Sequence, residues 1–325
     1  MTDIKQKIIK YVKEMGAVSA KDLIEYTSIS KQALFLHLKY LIENNYLSKI
    51  GSPPRVFYIL NEEEKKNLDV VFSKDIQEII DKNFLLITPI GKIKEGIEGF
   101  IFWCSSNNLD PKKTAKEYVD TLNKYDKHRL KSGLIDGTQK IKNSFDKIFL
   151  NKIFYLDFYE IERFGKTKLG QLLLYSKQSQ DKRLIKNISF VIKDRILNLI
   201  KEYKIDAVCF IPPTVKREIQ FMKELEKNLN LSLKKINIIK IKSDIAVPQK
   251  TLSKIVDRVK NAENTFFVND KGFYNNILII DDAVGSGSTL NIVAKKIKQA
   301  KINKGKIIGL AITGSYKGFD VISEV

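Results

Sequence analysis

The chain has 325 residues, of which 43% are hydrophobic and 29% are charged, and its formal net charge is +19. This composition excludes a disordered or fibrous chain, and the length allows two or three domains that each bury a core. The chain has no apolar run of membrane-spanning length, its amino terminus is amphipathic, and its two cysteines, Cys104 and Cys209, are isolated. We therefore expect a cytoplasmic protein without a membrane partner.

The positive charge is concentrated in the carboxyl-terminal half of the chain. Residues 151–325 carry 32 basic and 18 acidic side chains, whereas residues 1–60 carry nine and five. This excess favours a polyanionic partner or a phosphate-rich ligand. Lysines are spread along the whole chain, however, so solvated lysine faces explain the charge equally well. The charge alone leaves both interpretations open.

Residues 1–60 have the pattern of a small domain with three helices followed by a β-hairpin. A first helical pattern of apolar residues ends at Gly16, and Ser19 and Ser30 stand where the caps of a second and a third helix are expected. Two extended segments, 46–50 and 55–60, flank a Gly-Ser-Pro-Pro turn.

This order resembles the winged helix-turn-helix family, and residues 30–41 and 45–47 carry the resemblance. The resemblance implies DNA binding, with the third helix in the major groove and the hairpin near a phosphate or the minor groove. The residues expected on this surface are Ser30, Lys31, Gln32, Phe35, Lys39 and Arg55. A protein-interaction module is the alternative, because the net charge of this domain is only +4.

Residues 61–150 are predicted to form a helical linker region. Helical periodicity is visible at 70–80, 96–106 and 111–122, and Pro111 suits a first helical turn. A homodimer is expected for the whole chain, because two copies of a winged helix suit a palindromic DNA site.

From residue 151 onward, apolar strands alternate with amphipathic helices, which predicts an α/β domain over residues 151–325. The strands are predicted at 152–162, 207–212, 236–241, 265–268, 277–280 and 306–313, and the helices at 185–203, 216–229 and 290–300. Such alternation predicts a parallel sheet with helices on both faces and with ligands at the carboxyl ends of the strands.

The stretch 277–290 has the pattern of a phosphate site. Asp281 and Asp282 follow a buried strand, and a loop of glycines and hydroxyl residues then leads into a helix. The glycines let backbone N–H groups approach an anion, and the helix directs its positive end to the same place. Because carboxylates repel a bare phosphate, the pattern favours a phosphorylated sugar, or a ligand that brings magnesium. It is neither a Walker loop nor a dinucleotide fingerprint, and the alternative is an ordinary glycine-rich turn.

These residues resemble the signature of the phosphoribosyltransferase family. The resemblance implies the type I fold and a site for 5-phosphoribosyl-1-pyrophosphate (PRPP) with magnesium, the metal having no direct protein ligand. Asp281 and Asp282 would hold the ribose hydroxyls and carry any catalysis. The loop expected around the 5′-phosphate is Ala283, Val284, Gly285, Ser286, Gly287, Ser288 and Thr289.

Two further stretches resemble the ComF branch of this family. Residues 212–220 and 248–252, continuing to Phe266, look like its blocks in matching order, and the resemblance covers about residues 170–315. The sequence departs from the branch at Glu218, where the branch usually has glycine. It also lacks the amino-terminal four-cysteine finger of the branch. The resemblance implies a pyrophosphate loop of Pro213, Thr214, Val215, Lys216 and Arg217, and a flap that carries Gln249, Lys250, Lys254 and Arg258.

Three functions are compatible with these patterns. The first is a PRPP-responsive DNA-binding regulator, and the second is an active phosphoribosyltransferase that the winged helix recruits to DNA or to a partner. The third, a structural DNA-processing protein with a vestigial pocket, is disfavoured by the intact aspartate pair and by Thr289. No nucleobase pocket is recognisable, so the sequence predicts no acceptor.

Overall fold

The computed structural model describes residues 3–44, 46–61, 70–213, 215, 217–241 and 254–316, without the side chains of residues 255 and 258. The chain divides into two compact units. The smaller consists of Met1–Phe72, Thr88–Lys92 and Ser105–Leu109, and the larger consists of Ser73–Ile87, Ile93–Cys104 and Asp110–Val325.

The smaller unit packs three helices against a three-stranded antiparallel sheet. Its elements are α1 (Asp3–Met15), β1 (Ala17–Ser19), α2 (Ala20–Thr27), α3 (Lys31–Glu43), β2 (Leu47–Ser52) and β3 (Arg55–Leu60), with strand order β1-β3-β2. Ser19 and Asp22 form a reciprocal capping box on α2, and the Ser30 hydroxyl accepts from Ala33 N–H at the start of α3. Leu23, Leu34 and Leu38 lie in the apolar core between the helices.

The remaining helices are α4 (Lys74–Asn83), α5 (Gly96–Ser106), α6 (Pro111–Asp126), α7 (Thr138–Lys142), α8 (Lys168–Ser179), α9 (Lys182–Glu202), α10 (Phe221–Leu229), α11 (Ile255–Thr265) and α12 (Ser288–Gln299). The remaining strands are β4 (Leu85–Ile87), β5 (Ile93–Glu95), β6 (Ile135–Asp136), β7 (Lys152–Phe158), β8 (Glu160–Ile161), β9 (Gly165–Lys166), β10 (Ala207–Phe210), β11 (Lys234–Lys235), β12 (Ile238–Lys240), β13 (Phe266–Val268), β14 (Ile277–Val284) and β15 (Ile307–Gly314).

A six-stranded sheet organises the larger unit, in the order β11-β10-β14-β15-β7-β6. The strands from β11 to β7 are parallel, and β6 pairs antiparallel with β7 at the edge. The side chains from Ile277 to Ile280 are at most 1% exposed, as expected for a strand that is covered on both faces. The prediction of an α/β chain with a parallel sheet is therefore confirmed.

Helices cover both faces of this sheet. Leu278, Ile280 and Leu310 share one apolar core with α8, α9 and α10. Gly309 is next to Leu310 and therefore faces the other side, where a Cβ atom would lie 3.2 Å from Leu290 of α12. The carboxyl ends of the central strands are left open between these two layers.

Several boundaries differ from the predicted ones. Strand β14 continues to Val284 because β15 runs beside it to Gly314, so Asp281 and Asp282 lie within the strand. Helix α12 begins at Ser288, two residues early, whereas α10 begins only at Phe221 because side-chain hydrogen bonds hold the preceding segment as a loop.

Other elements were not predicted. Helix α8 lies in a stretch for which no element was predicted, and β12 and β13 form an antiparallel pair outside the main sheet. The stretch predicted as a helical linker also contributes β6 to the main sheet. Among the described residues, no helix is both long and apolar enough to cross a membrane.

Candidate functional site

A cavity of about 630 Å³ opens where the parallel strands of the larger unit end. It is lined by Tyr159, Ile211, Gly285 and Ser315, each of which directly follows one of the strands β7, β10, β14 and β15. Ligands of parallel α/β sheets bind in this position, because the loops after neighbouring strands converge there. The cavity is thus the best candidate site in the described part of the chain.

The loop between β14 and α12 forms one wall of the cavity. Gly287 has φ +81°, and a Cβ atom there would lie 2.6 Å from Ile141, so this position requires glycine. Gly285, by contrast, faces open space. Gly287 is the N-cap of α12 and provides no side-chain cap, so the first N–H groups of the helix lie beside the cavity. This wall suits an anion.

Two buried hydroxyl groups lie in the same loop. The Ser286 hydroxyl donates to Ser288 Oγ over 3.2 Å and accepts from Ser288 N–H over 3.4 Å. The side chains of Ser286 and Ser288 are 9% and 4% exposed. Because the Ser286 hydroxyl group already donates its proton, the Ser288 hydroxyl group is the one that can donate to a phosphate oxygen.

Asp281 and Asp282 lie next to this loop and have different neighbours. The Asp281 carboxylate accepts from Asp282 N–H over 2.8 Å. The Asp282 carboxylate forms an ion pair with Lys177 in the last turn of α8. Both aspartates line the cavity, and a carboxylate has enough acceptor sites to bond the hydroxyl groups of a ligand beside these contacts.

The segment after β10 lies against the end of α8. Ile219 N–H donates to the Gln180 side chain over 3.0 Å, and the Arg217 guanidinium donates to the Lys177 carbonyl. Gln220 Nε2 also donates to the carbonyl groups of Val215 and Arg217, over 3.2 and 3.1 Å. These bonds place Arg217 and Lys177 on one wall of the cavity.

Lys240, at the end of β12, brings a third basic side chain to the cavity lining. Burial lowers the pKa of its ammonium group to about 8, and the nearby Asp281 carboxylate opposes this shift. Its Nζ also lies 4.5 Å from the centre of the Phe266 ring. A lysine with this pKa is mostly protonated at neutral pH and carries a charge that an anionic ligand would stabilise.

Thr313 of β15 lies beside Ala283 of β14 and also lines the cavity. Its side chain is fully buried, and in the part of the chain that the structure describes its Oγ1 has no hydrogen-bond partner. Buried hydroxyl groups are nearly always bonded. Because this side chain has no exposed surface, a molecule in the cavity would bond it only after a small local movement.

The structure brings most of the predicted ligand residues together. All nine residues from Asp281 to Thr289 line the cavity, as do Pro213, Val215 and Arg217 of the predicted pyrophosphate loop. Lys254 of the predicted flap is exposed at the start of α11 and does not line the cavity among the described residues. Thr214, Lys216, Gln249, Lys250 and the side chain of Arg258 lie outside the described residues.

Sequence reasoning missed Lys177, Lys240, Tyr159 and Thr313. Lys177 and Asp282 are 105 residues apart, so only the fold shows that they meet. Lys240 is the last residue but one of the strand predicted at 236–241, and its position near a carboxyl end was a usable signal.

In the smaller unit, the predicted DNA-binding side chains Lys31, Gln32, Phe35 and Lys39 are exposed on α3. Arg55 is exposed at the start of β3, next to the hairpin turn. Ser30 is also exposed, but its hydroxyl group is occupied by the cap of α3. The side chains of Phe35 and Leu36 are 44% and 71% exposed, so this face of α3 is partly apolar.

Comparison with known proteins gives similarity to solved structures alone. A purine phosphoribosyltransferase from Pyrococcus horikoshii Ot3 matches with 15% sequence identity and TM-score 0.23, over 41% of this chain and 83% of that chain. A hypoxanthine phosphoribosyltransferase from Staphylococcus aureus matches with 17% identity and TM-score 0.24, over 41% and 73%. No protein-family model and no curated protein matches the chain. Because these identities and TM-scores are low, the function proposed below rests on the cavity residues.

Proposed function

We propose that this protein is a PRPP-responsive DNA-binding regulator. Its larger unit would bind PRPP with magnesium, and its smaller unit would bind DNA as a winged helix. The observation that carries the proposal is that one cavity combines two complementary walls. The loop before α12 suits a phosphate, and the adjacent aspartates suit the hydroxyl groups of a sugar.

The charges around the cavity also suit a phosphorylated sugar. Among the described lining residues, the basic Lys177, Arg217 and Lys240 face the acidic Asp281 and Asp282. The basic side chains favour a ligand with several phosphate groups, and the carboxylates favour one that brings a cation. No group of three or more His, Cys, Asp or Glu side chains suitable for a metal occurs among the described residues. Magnesium would therefore be held mainly by phosphate oxygens of the ligand.

The exposed face of α3 supports the proposal for DNA. Lys31 and Lys39 would contact phosphates, Gln32 would reach base edges, and Phe35 would contact a thymine methyl group. We also propose that two copies of the chain bind a palindromic DNA site together. PRPP would regulate binding only if its affinity differs between the DNA-bound and the free conformation.

The experiment is a titration of duplex DNA with the full chain, followed by fluorescence anisotropy, with and without PRPP and magnesium. A regulator should change its DNA affinity by about fivefold or more when PRPP is saturating. The double variant Asp281→Asn/Asp282→Asn should bind DNA but should not respond to PRPP. An unchanged DNA affinity at saturating PRPP would contradict the regulatory function.

A second candidate function is catalysis, and the apolar part of the cavity favours it. Tyr159, Leu173 and Phe221 are also among the lining residues, and aromatic and apolar side chains of this kind could contact an acceptor. The acceptor would displace pyrophosphate from the anomeric carbon, while the aspartates would stabilise positive charge on the ribose ring. Pyrophosphate release from PRPP, assayed with a panel of bases and with DNA, distinguishes this enzyme from a sensor that binds without turnover.

A further inference from the structure

Lys177 contacts the proposed sugar site directly, in addition to contributing positive charge to the cavity lining. Its ammonium group forms an ion pair with Asp282, one of the two carboxylates proposed to hold the sugar. The side chains of Lys177 and Asp282 are only 26% and 18% exposed, so water screens the pair poorly. The ammonium group of Lys177 thus holds a carboxylate that a ligand would also use.

A sugar whose hydroxyl groups bond both oxygens of Asp282 would have to displace this ammonium group from Oδ2. Separating a partly buried ion pair is costly, because the lysine would be left charged and without its partner. A neutral hydroxyl group donates a hydrogen bond to Asp282, but it does not provide the ammonium group of Lys177 with a new anionic partner. A ligand that also brings an anionic group into reach gives Lys177 a new partner.

The surroundings of Lys177 show where this anionic group would lie. The Arg217 guanidinium donates to the main-chain carbonyl of Lys177, so two cations line the same wall of the cavity. This wall is separate in the chain from the glycine loop before α12, which already suits one phosphate. The cavity therefore has places for two anionic groups, with the aspartates available to the sugar.

We propose that Lys177 is a specificity-determining residue, which releases Asp282 only to a sugar that carries a second anionic group. A sugar bisphosphate or a sugar phosphate-pyrophosphate would meet this requirement, and a sugar with a single phosphate would not. This inference rests on the proposed function and adds that the cavity rejects ribose 5-phosphate in favour of PRPP.

The test is calorimetric titration of the full chain with PRPP and with ribose 5-phosphate, each in the presence of magnesium. The wild-type chain should bind PRPP much more tightly than ribose 5-phosphate. In Lys177→Met, the PRPP affinity should fall by about tenfold or more, whereas ribose 5-phosphate should bind as well as before or more tightly. The ratio of the two affinities is therefore the quantity that measures the role of Lys177.

Two further variants make the test specific. Lys177→Arg retains the charge and should keep the wild-type ratio, which also shows that the position tolerates substitution. Lys186→Met removes an exposed lysine of α9 outside the cavity and should change neither affinity.

An equal loss of both ligands in Lys177→Met would show that Lys177 only supports the structure, and would overturn the inference. If neither affinity changed in this variant, the inference would be overturned as well, while the proposed PRPP site would stand. If the wild-type chain bound neither ligand, the proposed function itself would fail.

Discussion

At the scale of single residues, Thr313 allows the contribution of one hydroxyl group to stability to be measured separately from its contribution to ligand binding. Its hydroxyl group is fully buried, lines the cavity and has no partner among the described residues. An unsatisfied buried hydroxyl group costs about 1–3 kcal/mol of stability, so a molecule that accepts or donates there would recover this free energy.

We therefore expect Thr313→Val to raise the free energy of unfolding by about 1 kcal/mol and to weaken PRPP binding. Urea unfolding and calorimetric titration measure the two quantities. Ser176→Ala is the matched control, because Ser176 Oγ of α8 is also buried without a described partner but lies outside the cavity lining. A destabilised Thr313→Val would mean that the fold itself uses this hydroxyl group.

Lys240 predicts a pH dependence of ligand binding. Burial lowers the pKa of its ammonium group to about 8 in the free protein, and a bound polyanion would raise this pKa. The contribution of Lys240 to affinity is therefore complete below the pKa of the free state. It is lost as the pH rises through the pKa of the complex.

The PRPP affinity should accordingly decrease as the pH rises from about 8 to about 10, and Lys240→Met should have a weaker and flatter pH dependence. Titrations at several pH values measure the slope. Lys186→Met controls for the general loss of positive charge, and a slope that is equal in wild type and Lys240→Met would exclude this role.

At the scale of elements, the strand and loop around residues 277–290 were predictable because their signals are local. Four apolar residues, two carboxylates and a glycine loop specify a strand, a loop and a helix in this order without reference to the rest of the chain. Their boundaries were less predictable, because the strand continues to Val284 and the helix begins at Ser288. The sequence also indicated the caps at Ser19 and Ser30, since a capping hydroxyl group bonds within three residues.

Helix α8 was not predictable in the same way. Its buried leucines Leu169, Leu172 and Leu173 have helical spacing, but the helix is short and lies between aromatic strands and the much longer α9. Its position against Asp282 depends on sheet pairing between segments far apart in sequence. The order of the strands, the antiparallel β6 and the separate β12–β13 pair depend on the same long-range pairing.

Helix α3 and the hairpin of the smaller unit give a prediction at this scale. If Lys31, Lys39 and Arg55 each contact a DNA phosphate, each alanine variant should lower DNA affinity similarly for all sequences. Each should also reduce the slope of log affinity against log salt by about 1. Anisotropy titrations over a range of salt concentrations provide these slopes.

The matched control is Lys10→Ala, which removes an exposed lysine that belongs to α1 and not to α3 or the hairpin. If the variants of α3 and of the hairpin bind DNA like wild type, the exposed apolar side chains Phe35 and Leu36 favour a protein partner instead.

At the scale of the whole molecule, each of the two units has one of the two proposed binding activities, DNA binding and PRPP binding. The smaller unit contains the exposed face of α3, and the larger unit contains the cavity. Loss of one activity through mutation should therefore leave the other intact, and only their linkage needs both units.

The proposed function depends first on the binding of PRPP in the cavity through the aspartates of β14. Calorimetric titration of the wild-type chain with PRPP and magnesium tests it most directly, with Asp281→Asn/Asp282→Asn as the matched variant. We expect saturable binding by wild type and a loss of affinity of about a hundredfold in the variant, because both acceptors of the sugar hydroxyl groups are weakened. Equal binding by both proteins, or no binding by a folded wild-type chain, would exclude the proposed PRPP site.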